Sequence, residues 1–123
     1  MQTWIKIDKN SDFSIYNLPF GVYSTESKNK RIGIAIGDMV LNLEGINKLG
    51  VFDGLNIGSN VFVSNYLNDF ISLGKKTTIK VREIVQKELC NTSSVLRNDN
   101  SIFIKQKDVT MHMPVKIGDY TDF

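Results

Sequence analysis

The clearest pattern along the chain is an alternation of apolar and polar positions between residues 31 and 43, interrupted once by Gly37-Asp38. In an extended chain, side chains alternate between two faces, so Ile32, Ile34 and Ile36 share one face, as do Met39, Leu41 and Leu43. A two-residue loop at Gly37-Asp38 pairs Ile36 with Met39, Ile34 with Leu41, and Ile32 with Leu43. All six apolar side chains then fall on one side. That agreement between turn length and register predicts a β-hairpin with a buried face. Gly33 and Ala35 fall on the other face, where another backbone could approach closely. Upstream, Asn17, Leu18, Pro19, Phe20 and Gly21 are turn-prone, and residues 22–25 read as a short strand.

The period then changes. Tyr66, Leu67, Phe70 and Ile71 form one apolar stripe at helical spacing, with Ser64 as N-cap and Gly74 as the stop. A second stripe, Val81, Ile84, Val85 and Leu89, predicts a second helix, followed by a loop over residues 91–94. Gly50, Gly54 and Gly58 make residues 50–59 an irregular linker. Strand character returns at residues 101–105 and 109–115. Pro114 cannot donate to a ladder, so the latter stretch is expected to be an edge strand or an extended crossing segment. The fold class is therefore β-rich with two inserted helices (α+β), as a small barrel or a compact roll.

Composition adds boundaries. A chain of 123 residues, 41% hydrophobic and 23% charged, suits one compact soluble domain. The net charge of +2 is too small to imply a polyanionic partner, so no nucleic acid is expected. Lys75, Lys76, Lys80, Arg82 and Lys87 cluster, but Glu83 and Glu88 interrupt them, and Glu83 can pair with Lys87 at i,i+4. They read as a solvated helix face. The single cysteine, Cys90, allows no internal disulfide and fits a reducing, cytoplasmic setting. Lys6 and Asp8 break up the first residues, so no signal-peptide core is read there. No apolar run approaches the ~18 residues of a membrane span, and no membrane partner is expected.

Residue chemistry alone offers no catalytic constellation. His112 is the one histidine; between Met111 and Met113 it reads as a residue at the edge of a packed strand. Cys90, near the end of an amphipathic helix, reads as a packing residue. Gly33 and Gly37 do not form a phosphate-binding pattern. Asp119 and Asp122 lie three apart, but a hard cation wants six or more oxygens, which nothing nearby supplies locally. On spacing alone they read as a solvated tail.

Four segments, in order, give a more specific reading. They are Ser11-Asp12-Phe13-Ser14-Ile15-Tyr16-Asn17-Leu18-Pro19-Phe20-Gly21-Val22-Tyr23-Ser24-Thr25, Arg31-Ile32-Gly33-Ile34-Ala35-Ile36-Gly37-Asp38, Leu67-Asn68-Asp69-Phe70-Ile71-Ser72-Leu73-Gly74 and the run from Met111 through Gly118-Asp119-Tyr120-Thr121-Asp122-Phe123. Together they resemble the amino-terminal part of the fumarylacetoacetase family. The resemblance implies an amino-terminal SH3-like barrel domain over residues 1–117, with residues 118–123 the start of a larger catalytic domain. It implies a parent enzyme that hydrolyses a carbon–carbon bond of fumarylacetoacetate, in the last step of tyrosine breakdown, with magnesium or calcium as cofactor. Asp122 matches the family's metal ligand. The family's catalytic histidine falls beyond Phe123, so no catalytic or substrate-binding residue is assigned here, and His112 does not match it. The isolated chain is expected to be inactive and to bind no cation. Expected partners are the chain's own catalytic domain, a small-molecule substrate and a second subunit in a homodimer. The alternative is a free-standing small β-barrel binding or oligomerisation module, for which the chain end at residues 118–123 is an unexpected place to stop.

Overall fold

A computed structural model describes residues 2–7, 14–58 and 60–113. Three strands follow one another as a meander: β1 (Phe20–Thr25), β2 (Lys28–Ile36) and β3 (Met39–Asn42). The predicted hairpin is there. Ile36 pairs with Met39 and Ile34 with Leu41, closed by Gly37 at φ 58°, a left-handed conformation that glycine adopts without a Cβ penalty. The third expected pair, Ile32 with Leu43, does not form. The ladder ends at Gly33–Asn42, because Asn42 turns from strand residue to N-cap, its Oδ1 accepting from the Glu44 N–H at 3.1 Å. Leu43 therefore opens a helix, α1 (Leu43–Lys48), that the alternating pattern concealed. Leu43 and Ile32 are still both fully buried, so the face assignment survives the change of element.

Two short strands flank the meander. β4 (Phe103–Lys105) pairs with β3 and β5 (Thr110–His112) with β1, giving the order β4-β3-β2-β1-β5, all neighbours antiparallel. β5 is an edge strand, as the proline-bearing stretch predicted. Only four residues separate Lys105 from Thr110, a five-step reach of at most ~18 Å, whereas four strand spacings across a flat sheet would need ~19 Å. The sheet is therefore curled. It is nevertheless open: among the described residues no ladder joins β4 to β5, so the closed SH3-like barrel implied by the resemblance is not found. After β4 the chain is committed elsewhere, with the Gln106 N–H donating to Asp38 O at 2.8 Å and its Nε2 to Gly37 O at 3.0 Å. The α+β, β-rich class holds.

The inner face of the sheet and the helices enclose one core, which includes Val22, Ile32, Ile34, Ile36, Leu41, Phe52, Phe62, Phe70, Val81, Val85 and Leu89. α3 (Lys75–Leu89) contributes Val81, Val85 and Leu89, the stripe read from sequence, with Ile84 half-buried beside them. The predicted helix before it shrinks to α2 (Asn68–Ile71). Ser64 Oγ does accept from the Tyr66 N–H, at 3.4 Å, but the next residues do not propagate a helix. Asn65, Tyr66 and Asn68 are poor helix formers, and a single turn gains little against its nucleation cost. Burial of Leu67 and Phe70 fixes this segment. Residues 50–58 are turns around a single 3₁₀ turn, Asp53–Leu55, as the glycines indicated.

The amino-terminal residues strap the end of α3. The Trp4 backbone N–H donates to Leu89 O at 3.0 Å, and its indole Nε1 to Glu88 O at 2.9 Å. These carbonyls are among those that a helix C-terminus leaves without intrahelical partners. Trp4 also meets Phe103 edge-on at 5.7 Å and carries the Arg97 guanidinium at 5.4 Å from its ring centre.

Candidate functional site

Asp122, the proposed metal ligand, and Asp119 lie outside the described residues, as does the expected boundary between residues 117 and 118. His112 is placed in β5, half-buried, where its Nε2 shares a 2.7 Å hydrogen bond with Ser24 Oγ on β1. Among the described residues no carboxylate contact orients the far ring nitrogen, and the pair ties the edge strand to the sheet. Cys90 is a free thiol at the C-cap of α3, half-buried against the core, in the packing role expected of it.

The basic helix face is only partly solvated. Glu83 pairs with Lys80 at 3.8 Å rather than with Lys87. Arg82 does not face solvent as expected. It is half-buried, its Nε donates to Leu18 O at 3.1 Å, and its guanidinium lies 4.6 Å from the centre of the Phe20 ring. One turn further along, Gln86 Nε2 donates to Ile15 O at 2.9 Å. These two side chains hold residues 15–18 against α3, a role that charge counting could not reveal.

The outer face of the sheet, opposite the core, carries a charged network with substantial burial. Arg31 Nη1 donates to Glu44 Oε2 at 2.7 Å, and Lys48 Nζ lies 3.2 Å from Glu44 Oε1. Tyr23, cross-strand partner of Arg31, is fully buried beside them. Burial pushes its phenol up to about 12; the nearby Arg31 charge pulls in the opposite direction and Glu44 adds to the rise. The folded state thus holds this proton more tightly than the unfolded chain. Stability from this group is present below pH 10, and is expected to fall as pH rises towards 12. Urea midpoints measured across that window should fall in the parent and fall less in Tyr23→Phe.

Two concavities lie near these groups. One, of about 680 Å³, opens between the β1–β2 turn and the β4–β5 connection, among Thr25, Ser27, Lys107, Asp108 and Thr110. The other, of about 180 Å³, is apolar and runs over the outer face between Pro19, Phe20, Gly33, Ala35 and Met111. Gly33 is required there: a Cβ would stand 2.6 Å from Val40 Cγ1 and 2.9 Å from both Leu41 O and Tyr23 Cε1. The close approach expected at Gly33 is thus made mainly by its own sheet neighbours. Among the described residues no group of three or more His, Cys, Asp or Glu could hold a metal ion, so the magnesium or calcium of the resemblance has no fit within them. Among the described residues no helix is long and apolar enough to cross a membrane.

The described geometry is that of a packed module whose polar groups serve its own architecture. Residues 16–114 match the family described as fumarylacetoacetase N-terminal, and the chain belongs to that family. It is 42% identical over its whole length to a fumarylacetoacetase of Caenorhabditis elegans, covering 31% of that protein. It is 41% identical to the fumarylacetoacetase of Mus musculus and 40% to that of Homo sapiens, in each case over 98% of this chain and 30% of the relative. The chain thus spans about 30% of the length of the curated relatives it matches.

Proposed function

We propose that this chain is the amino-terminal domain of a fumarylacetoacetase, a cytoplasmic hydrolase that cleaves fumarylacetoacetate to fumarate and acetoacetate in tyrosine breakdown. The observation that carries this reading is the match of residues 16–114 to the amino-terminal family, together with identities near 40% along essentially the whole chain. The domain itself supplies a folded platform. Its described residues bring together no nucleophile, base and metal ligands. The reading assigns catalysis to polypeptide following this domain, with magnesium or calcium there and Asp122 as this chain's contribution to the metal shell. The metal, when bound, would supply a positive centre for negative charge developing on the substrate. Docking to that catalytic domain, and pairing of two full-length subunits, belong to the same reading.

The test is direct. Purified 123-residue chain mixed with fumarylacetoacetate should consume it no faster than buffer, and calorimetry should show no micromolar magnesium or calcium affinity. A longer polypeptide carrying this domain should turn the substrate over, and Asp122→Ala should abolish most of that activity. Turnover that follows the short chain through purification would refute the division of labour. Full activity in the long Asp122→Ala protein would remove Asp122 from the site.

A further inference from the structure

An antiparallel sheet with its core on one side ordinarily turns polar side chains outward on the other. Part of the outer face here breaks that pattern. The register sets Gly21 opposite Gly33, Ala35 opposite Val40 and Met111 opposite Tyr23, and the spacing of two along each strand puts all six on the outer face. Five of them, all but Tyr23, line the apolar groove of about 180 Å³. Small residues keep its floor low. The backbone there is already paired, the Ala35 N–H donating to Pro19 O at 3.0 Å.

No charged side chain lines the groove. An occupant is therefore held by apolar contact, and one that brought a charge would lose its hydration without a partner. An engineered apolar cavity of ~150 Å³ takes up benzene, so this volume suits one aromatic ring. At the rim, Met111 is 55% exposed, and Met113, two residues on and the last one described, is 57% exposed. Methionine side chains of this kind adapt to a partner's shape. Polypeptide that follows is thus delivered to this rim by the chain itself, and in the relatives about 70% of the length lies outside the matched part. Covalent delivery gives such a segment an effective concentration that a second copy of the domain lacks.

We propose that the groove seats an aromatic side chain of the catalytic domain, so that the outer face of the sheet is the docking face of this module. This rests on the functional reading above.

Hydrogen peroxide converts accessible methionine to the sulfoxide, and tandem mass spectrometry locates the product. Met111 should be oxidised readily in the 123-residue chain and about ten-fold more slowly in a longer polypeptide carrying the catalytic domain. Residues 114–123 are present in both and cancel. Met39, packed against the core, should react slowly in both, which reports an intact fold. Within the longer protein, Ala35→Glu places a charge on the groove floor and should restore Met111 oxidation while Met39 stays slow. Equal Met111 rates in the two chains, protection that is lost on dilution, or protection unchanged in Ala35→Glu overturns the proposal. Turnover of fumarylacetoacetate with Met111 unprotected would sink the docking face and leave the functional reading standing. Protection without turnover would do the reverse.

Discussion

Replacing Phe70 by alanine is expected to cost this domain about 3–5 kcal/mol of folding stability, the range for truncating a buried aromatic side chain. Phe70 is 1% exposed. It meets Phe20 of β1 edge-on at 4.9 Å and Phe62 at 5.3 Å, and Phe62 in turn lies 5.9 Å from Phe52. This row of rings joins the sheet to the long irregular stretch between α1 and α3. That stretch is also held by Leu67 in the same core, by half-buried side chains such as Leu55 and Ile71 packed against it, and by backbone hydrogen bonds. One of these is the Ile32 N–H donating to Phe62 O at 3.1 Å, and α2 itself is only four residues long. Removing Phe70 leaves a cavity in the middle of the row and frees both of its neighbours. Small domains are stable by only about 5–15 kcal/mol, so the variant should sit close to unfolding at ordinary temperature. Urea titration followed by tryptophan fluorescence measures the loss directly. A cost below about 1 kcal/mol would mean that the row is not what holds the segment.

Ile34→Ala should cost about 2–5 kcal/mol. Ile34 lies in β2 with Phe20 opposite it on one side and Leu41 on the other, and its side chain is fully buried. A central strand cannot move towards the gap without breaking two ladders at once. The cavity therefore persists, which places the expected cost towards the upper end of the range. An unchanged denaturant slope with a shifted midpoint would show lost stability in an otherwise intact fold. A cost below about 0.5 kcal/mol would mean that the face carrying Ile32, Ile34 and Ile36 is not the core.

The hairpin was readable because two independent signals agreed: a loop of fixed length and apolar positions whose pairing that length determines. Where one signal overrode another, the reading failed. Leu43 continued the alternation from Met39, and this masked the capping signal of Asn42 and the i,i+3 pair Leu43 and Ile46 that mark α1. In the 64–74 segment the helical stripe was real as burial but weak as propensity, and a single turn resulted. Arg82 shows a third kind of limit. Its side chain has a long apolar stem and a planar head, so it can pack on Phe20 as readily as it can meet water, and only tertiary placement decides between them. The Tyr23–Arg31–Glu44 cluster was hidden for a related reason. Its members come from three elements, and no local spacing announces that they meet. The amino-terminal family itself was legible because its segments keep their order and composition along the chain.

The strap of Trp4 across the end of α3 bears on the order in which this chain takes shape during synthesis. The indole reaches a carbonyl 84 residues away, and Ser24 meets His112 across 88. At about 5–20 residues per second, a ribosome exposes the first strands for several seconds before either late partner has been made. The β2–β3 hairpin can close on its own residues as soon as they emerge, but its isoleucine face has no cover until α3 follows. Residues made long before their partners are therefore among the last to be secured. Contacts of such long range slow folding relative to local ones. Nascent chains of this domain should accordingly remain clients of ribosome-associated chaperones until residues well past 89 have cleared the exit tunnel.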